Sequence, residues 1–240
     1  MPTVALFVTC VVDRFAPEVG VATVRLLEAA GVEVTYPADQ TCCGQPALSS
    51  GEPEAAARLA RHHTRVFRGC DAVVTPSGSC AAMVRHWHPE LLGRRDPGPA
   101  GHRGVGPPTY ELSEYLVDVL GRTDLGIRLA TRVTVHDGCH GRRALGLGAQ
   151  ARALLGAAGA EVVEVAEPET CCGFGGIFSA RFPELSLALA RDKLTDAAGT
   201  GAEFLVSGDV ACLLHLRSLP GPPAGPVPVH LASLLASGLP

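Results

Sequence analysis

The sequence predicts an α/β protein that consists of a tandem duplication of one βαβ-type parallel-sheet unit, with two halves related by a pseudo-twofold axis. A repeated cysteine pattern is the first observation behind this prediction. Each copy has a single cysteine, then a Cys-Cys-Gly sequence, then another single cysteine: Cys10, Cys42, Cys43 and Cys80 in the first copy, and Cys139, Cys171, Cys172 and Cys212 in the second. In both copies 31 residues separate the first cysteine from the pair. A pattern that recurs after half the chain indicates an internal duplication.

The duplication extends beyond the cysteines. Three more segments of the first half correspond to segments of the second: 4–9 to 133–138, 30–34 to 159–163, and 71–75 to 203–207. We therefore place the first repeat at 1–122 and the second at 130–240, each within the usual domain size of about 50–250 residues. A Gly/Pro-rich stretch at about 93–108 has no counterpart in the second half, and we interpret it as a surface loop inserted into the first repeat.

Each half alternates short apolar runs with helical patterns. In the first half we predict strands at 3–9, 32–35 and 71–75, and helices at 17–30, 52–68, 80–87 and 110–120. The first of these helices opens with Pro17 and is followed by Gly31, which are typical boundary residues. In the second half we predict strands at 132–136, 161–165 and 203–207, and helices at 149–158, 183–198 and 230–236. Strands that alternate with helices indicate βαβ units and a parallel sheet.

Composition narrows the functional classes. A formal net charge of −4 and an aromatic content of only 5% argue against nucleic-acid binding. Hydrophobic residues make up 47% of the chain, but no run reaches the roughly 18 apolar residues of a membrane span, so we predict no transmembrane segment. The first residues lack the features of a signal peptide. We therefore expect a cytoplasmic protein, whose reduced, clustered cysteines indicate metal or redox chemistry.

The cysteines lie where α/β folds build binding sites. Cys10 and Cys139 come at the ends of predicted strands, and Cys80 and Cys212 follow strands at the starts of helices. Ligand sites of open parallel sheets collect at the carboxyl ends of the strands. A helix N-terminus also stabilises thiolates, because its backbone N–H groups carry a partial positive charge.

The residues beside the cysteine pairs support a metal centre. Gly44 and Gly173 are expected to allow a positive φ or a close backbone approach, and the backbone N–H groups that follow them, such as that of Gln45, could face cluster sulfides. Four thiolates per half suit either zinc or an iron–sulfur cluster. Zinc sites usually take ligands in closely spaced pairs, and neither half contains C-x2-C. The spacing therefore favours an iron–sulfur cluster, with zinc and metal-free redox thiols as alternatives.

Seven motifs carry a resemblance that covers nearly the whole chain: LFVTCVVD at 6–13, QTCCGQP at 40–46, PSGSCAAM at 76–83, YELSE at 110–114, HDGCH at 136–140, CCGFGG at 171–176 and DKL at 192–194. These motifs resemble those of the CCG-type cysteine-rich iron–sulfur family. Its members include the disulfide-reducing subunit of heterodisulfide reductase and the iron–sulfur subunit of glycolate oxidase.

The resemblance implies that the eight repeated cysteines hold iron–sulfur clusters of the [4Fe-4S] type, with at most one per repeat. It further implies an electron-transfer subunit, rather than a complete enzyme, in a complex that oxidises L-lactate to pyruvate. The partners would be a ferredoxin-type iron–sulfur protein and a third subunit. Two alternatives are a thiol–disulfide or heterodisulfide-type reductase that acts at the cluster, and a zinc-stabilised structural module. No residue pair stands out as catalytic.

The chain departs from the wider family pattern, which ends in C-x2-C and has five cysteines per repeat. Ser77 and Asp209 occupy the positions of the additional cysteines, so each half keeps four thiols. Four thiols suffice for a four-ligand cluster or for a cluster with one non-cysteine or open position, and the loss of the fifth counts against heterodisulfide chemistry. We expect both residues at the rims of their sites, where Asp209 should point outward, cap the helix that begins near Cys212, or bind a metal as an oxygen donor.

The remaining polar residues are assigned by their distance in sequence from the cysteines. Seven residues are predicted to surround the clusters rather than to bind them: Gly44, Gln45, Ser77, His136, His140, Gly173 and Asp209. His62 and His63 are interpreted as solvated residues of a polar helix face. Cys70 has no counterpart in the second half and is interpreted as a core thiol.

Overall fold

The computed structural model describes residues 2–93, 105–219, 221–222 and 225–239. The strands of the first sheet are β1 Thr3–Leu6, β2 Glu33–Thr35, β3 Val73–Thr75 and β4 Thr109–Glu111, and those of the second sheet are β5 Arg132–Val135, β6 Glu161–Val162, β7 Phe204–Ser207 and β8 Val227–His230. The first sheet has the order β2-β1-β3-β4 and the second β6-β5-β7-β8. All strand pairs are parallel. This architecture confirms the predicted α/β fold with two duplicated units.

Helices follow the strands in both halves. In the first half they are α1 Cys10–Phe15, α2 Pro17–Ala29, α3 Gln45–Ser49, α4 Pro53–Val66, α5 Gly78–Ala82, α6 His88–Leu91 and α7 Leu112–Glu114, and in the second half α8 Ala149–Ala157, α9 Ile177–Arg181, α10 Pro183–Gly199, α11 Val210–Arg217 and α12 Leu231–Ser237. Three π-helical turns lie at Met83–Trp87, Tyr115–Val119 and His140–Ala144. The long helices α2, α4 and α10 each begin with proline, whose fixed φ suits the first helical position.

The structure corrects several predicted elements. The segments 110–120 and 230–236 were expected to be helical from end to end, but each joins a strand to the helix after it. Strand β4 ends at Glu111 before α7, and strand β8 ends at His230 before α12. Strand β1 is also shorter than predicted, because the chain after Leu6 turns into α1 at Cys10. Most of the predicted loop insertion, 94–104, lies outside the described residues.

The two halves pack on one another reciprocally. Helix α12 of the second half packs against α2 of the first, and α7 with its π-helical turn packs against α8. The caps of α7 and α12 reach across in the same reciprocal way. Glu111 lies against Gly208, and the His230 ring N–H donates to the Pro76 carbonyl at 3.1 Å. The largest hydrophobic core accordingly contains buried side chains of both sheets, such as Leu6 and Val135.

The reciprocal packing determines where a site can form. It brings the carboxyl ends of the central strands of both sheets toward the boundary between the halves.

None of the helices within the described residues is long and apolar enough to cross a membrane.

Candidate metal centre

The structure brings the four cysteines of the first set together. Cys10 opens α1, Cys42 and Cys43 lie in the loop before α3, and Cys80 lies in the first turn of α5. The thiol of Cys42 is within hydrogen-bonding reach of those of Cys10 and Cys43, and Cys43 reaches Cys80 in turn. All nine cysteines of the chain are free thiols. The half-buried Cys70 packs against the hydrophobic cluster that contains Cys43 and Cys80, and the charge beside its thiol is that of Asp71.

The second set repeats this arrangement. The thiol of Cys171 is within reach of Cys139 and Cys172, and Cys172 reaches Cys212. Cys139 begins the helical segment after β5, and Cys212 lies in the first turn of α11. The spacing of the cysteines therefore corresponds to two equivalent chains of neighbouring thiols, one in each half.

The first cysteine of each Cys-Cys-Gly turn is a thiol that ionises easily. Hydrogen bonds from the thiols of Cys10 and Cys43 and from the backbone N–H of Gly44 lower the pKa of Cys42 to about 3. Equivalent bonds, first from Cys139 and then from Cys172, lower the pKa of Cys171 to about 2. The pKa values of the donating thiols are raised by the same bonds and by burial. Each set thus holds a thiolate, the form of cysteine that binds metal.

The glycine of each Cys-Cys-Gly turn has the conformation that the sequence predicts. Gly44 has a φ of 93° and Gly173 a φ of 87°, a region that side chains disfavour. The backbone N–H of each glycine lies 3.3–3.4 Å from the sulfur two residues earlier. A Cβ at Gly173 would lie 2.2 Å from the Ser186 carbonyl oxygen, whereas a Cβ at Gly44 would lie 3.4 Å from its nearest neighbours. The second turn is therefore the more tightly packed.

Both thiol sets face one cavity of about 440 Å³. Seven of the eight repeated cysteines line it: Cys10, Cys43, Cys80, Cys139, Cys171, Cys172 and Cys212. His140 connects the two sides of this cavity. Its Nδ1 lies 3.6 Å from the Cys139 sulfur, and its Nε2 accepts a hydrogen bond from the Gln45 side chain at 3.0 Å. The predicted surroundings Gln45 and His140 are thus both found at the cavity.

Ser77 and Asp209 occupy equivalent cap positions at the cavity wall. The Ser77 hydroxyl accepts from the backbone N–H of Cys80 at 3.3 Å and caps α5. The Asp209 carboxylate accepts from Ala211 N at 3.2 Å and caps α11, which is one of the three roles expected for it from the sequence. Its second oxygen accepts from the backbone N–H of Ser79 in the other half, at 3.0 Å. Asp209 therefore also ties the two halves together.

His136 lies closer to the second thiol set than a surrounding residue needs to. Only 2% of its surface is exposed, and a ring nitrogen and the sulfurs of Cys172 and Cys212 lie within 4.8 Å of one another. Neither ring nitrogen has a protein partner in good hydrogen-bond geometry. The pKa of Cys212 is lowered mainly by a hydrogen bond from Cys172, and the nearby His136 ring lowers it further.

Two buried titratable residues were missed or misplaced by the sequence interpretation. His63 is 5% exposed rather than solvated, and burial lowers its pKa to about 3. Its counterpart on α10 is Lys193, which is fully buried and donates to the Glu167 carbonyl at 2.8 Å, near the second cysteine pair. The signal for Lys193 was its place among Ala190, Leu194 and Ala197 on the apolar face of α10.

His88 forms a hydrogen bond to the backbone of the first cysteine pair. Its buried ring donates from Nε2 to the Cys43 carbonyl at 2.8 Å. In the second half two successive hydrogen bonds lead to the equivalent Cys-Cys-Gly turn. His215 lies 3.1 Å from the Ser186 hydroxyl, which donates to the Gly173 carbonyl at 2.8 Å. Both turns are therefore fixed by buried hydrogen bonds to their carbonyl groups.

These donor sets suit a metal cofactor chemically. Each offers four clustered thiols, one of them already a thiolate, next to backbone N–H groups at turns and helix starts. Thiolates of this kind are the usual ligands of iron–sulfur clusters and of zinc. The absence of disulfides leaves all eight repeated sulfurs available as ligands.

Comparison with known proteins places the chain in a family. The family model described as "CCG: Cysteine-rich domain" matches residues 4–85 and 133–217. The chain is 41% identical to "Lactate utilization protein A" of Exiguobacterium sp., over all of this chain and 99% of that protein. It is 39% identical to "Lactate utilization protein A 1" of Bacillus mycoides, over 97% of this chain and 96% of that protein. The chain therefore belongs to the CCG cysteine-rich domain family, and it contains two copies of this domain.

Proposed function

We propose that the protein is an iron–sulfur electron-transfer subunit that takes part in the oxidation of L-lactate to pyruvate. The observation that carries this proposal is the pair of equivalent four-thiol sets on one cavity between the halves. The relatives named "Lactate utilization protein A", which match over the full length, supply the substrate class. Oxidation of L-lactate to pyruvate releases two electrons and two protons, and an iron–sulfur cluster in each set would take up one electron at a time.

The chain's own residues would bind and tune these cofactors. Cys10, Cys42, Cys43 and Cys80 would hold one cluster, and Cys139, Cys171, Cys172 and Cys212 the other. Backbone N–H groups at Gly44 and Gly173 point at thiolate sulfurs. Such hydrogen bonds are one of the means by which proteins set cluster potentials. No residue pair at the cavity is arranged as a lactate dehydrogenation site within the described residues, so we assign substrate binding to a partner.

We propose two partner subunits, a ferredoxin-type iron–sulfur protein and a third subunit. A cytoplasmic location fits the free thiols, because they need a reducing compartment. Partners would exchange electrons with clusters that lie at the boundary of the two repeats.

Metal analysis and genetics test the proposal together. Protein purified without oxygen should be brown and should contain iron and acid-labile sulfide. A strain that lacks the chain should fail to grow on L-lactate and should still grow on pyruvate, and the intact gene, but not Cys171→Ala, should restore growth. Stoichiometric zinc without iron would contradict the cluster, and normal growth of the deletion strain on L-lactate would contradict the role.

The cavity favours one second candidate, a thiol–disulfide or heterodisulfide-type reductase. Its volume of about 440 Å³ is within the range of small-molecule sites, and sulfurs of both sets line it. Protein incubated anaerobically with a disulfide and an excess of a low-potential electron donor would then release two thiols for each disulfide and each pair of electrons consumed, over many turnovers. The electron-transfer role predicts no such turnover. The zinc-stabilised module, by contrast, predicts colourless protein with no visible absorption.

A further inference from the structure

The position of His136 is not explained by hydrogen bonding. Its ring is 2% exposed, and both nitrogens lack a protein partner in good geometry. A buried polar group left without a partner costs roughly 1–3 kcal/mol, so most such groups in folded proteins have one. A ring nitrogen of His136 and the sulfurs of Cys172 and Cys212 all lie within 4.8 Å of one another. This is the spacing of ligands around one metal ion.

The first half shows that packing does not require a histidine there. Phe7 is the counterpart of His136, since each directly follows the central strand and donates its backbone N–H to the neighbouring strand, to Val74 at 2.9 Å and to Val206 at 2.8 Å. Phe7 is fully buried in one hydrophobic cluster with Cys43 and Cys80. The same place beside the same two thiols thus holds an apolar ring in one half and a nitrogen donor in the other.

The chain also holds His136 in place. Asp137, the next residue, forms ion pairs with Arg152 at 2.9 Å and Arg142 at 3.3 Å, and its side chain is 7% exposed. Arg152 is held in turn by Glu164. The corresponding part of the first half carries no such ion pairs among the described residues. There the Gln40 side-chain oxygen accepts a hydrogen bond from the backbone N–H of Val8, the counterpart of Asp137. A ligand must be fixed in orientation, and second-half ion pairs supply that rigidity.

We propose that His136 is a fifth metal ligand of the second site, which then binds its cluster through four thiolates and one imidazole nitrogen. This inference rests on the proposed cluster. The first site, with Phe7, uses thiolates alone. A neutral imidazole adds a ligand without adding negative charge, and the ligands and net charge of a cluster are among the properties that set its potential. The two sites of this chain therefore differ in ligand set, and we expect them to differ in potential for this reason.

Isotope labelling tests the assignment on the unmodified protein. Full-length protein labelled with [15N]histidine is purified without oxygen, and its clusters are brought into their paramagnetic state for pulsed electron paramagnetic resonance. We expect the strong 15N coupling of a directly bound imidazole. His136→Phe places at this position the residue that the first half has, Phe7. This variant should lose the coupling, and its second site should still bind iron through the four cysteines. It should also shift the potential of one cluster by about 59 mV, a tenfold change in the oxidised-to-reduced ratio for one electron, and leave that of the other cluster unchanged.

His140→Phe is the matched control, because His140 also contacts the second set, with Nδ1 3.6 Å from the Cys139 sulfur. It should leave the strong coupling unchanged. If His136→Phe does not fold, the labelled unmodified protein with His140→Phe still decides the question. Clusters that show only weak 15N coupling overturn the ligand assignment and leave the proposed function standing. Protein without iron, or with zinc instead, overturns both.

Discussion

In the first half Phe7 and Ser77 lie beside the thiols and His63 packs against Phe7, and each of these side chains is uncharged. In the second half the corresponding residues are His136, Lys193 and Asp209. The thiols themselves are arranged alike in both halves, with one easily ionised cysteine at the centre of each set. The duplication has thus kept the ligands and changed what surrounds them. Two sites with equal thiols and unequal surroundings are suited to hold electrons at two different potentials.

The largest expected effect tests whether the two sites are separate. Cys42→Ala should remove the metal of the first half only, and Cys171→Ala that of the second half only, because each residue belongs to one chain of neighbouring thiols. Iron and sulfide analysis of protein purified without oxygen should fall to about half in each variant. Cys70→Ala is the control and should retain full iron, since this thiol is not among the cysteines that line the cavity.

A different result would change the comparison itself. If either variant lost all its iron, the two sets would hold one shared cofactor in their common cavity rather than two separate ones. The double variant should contain no iron under either arrangement.

The next effect compares the two Cys-Cys-Gly turns. Gly44→Ala introduces a side chain at a positive φ, which costs about 1–2 kcal/mol. Gly173→Ala adds a backbone clash at 2.2 Å with Ser186, and forced displacement of packed groups costs a further 1–3 kcal/mol or so. Urea unfolding should therefore show the larger loss for the second-half variant. Equal losses would mean that the second turn relaxes without resistance from α10.

The sequence was sufficient to predict the duplication, the parallel sheets and the positive φ at both turns, because each depends on local spacing or on residue type. The fourth strands were missed for a local reason. Strand β4 has three residues and is followed at once by α7, so its apolar residues merge with the helical pattern. No pattern in sequence separates a short edge strand from the first turn of such a helix.

The polar residues around the thiols were harder to predict, because their role depends on contacts distant in sequence. His63 lies on a helix rich in Arg and His, which suggested a solvated face, yet α6 and Phe7 cover it. The contact of His136 with Cys212 joins residues 76 positions apart. Only the fold brings such pairs together.

Acid should destabilise the first half through His63. Burial lowers its pKa to about 3, below the ordinary value of 6.5. At pH values between these two, the histidine is protonated in the unfolded chain and neutral in the folded chain. Stability is therefore retained above about pH 6.5 and is lost progressively as the pH falls toward 3. Between pH 7.5 and 5 this loss should reach about 2 kcal/mol, at about 1.4 kcal/mol per pKa unit.

His63→Phe should remove that part of the pH dependence, because a phenyl ring binds no proton. Unfolding free energies at the two pH values, compared with those of the unmodified protein, measure it. The control is His62→Ala, which changes a partly exposed neighbour on the same helix. An unchanged difference between the two pH values in His63→Phe would show that the ring becomes hydrated and protonated within the folded protein.

The smallest expected effect concerns the two cap residues that replace cysteines. Loss of an N-cap costs typically about 1 kcal/mol, so Ser77→Ala and Asp209→Ala should both fold and should both keep their iron. Asp209→Ala should cost more than Ser77→Ala, because it also breaks the hydrogen bond from Ser79 across the halves. Asp209→Asn separates charge from capping, since the amide oxygen can still accept the bond from Ala211. If Asp209→Ala instead lost second-half iron as completely as Cys171→Ala, the carboxylate would be a ligand, and the second site would differ from the first in two ligands rather than one.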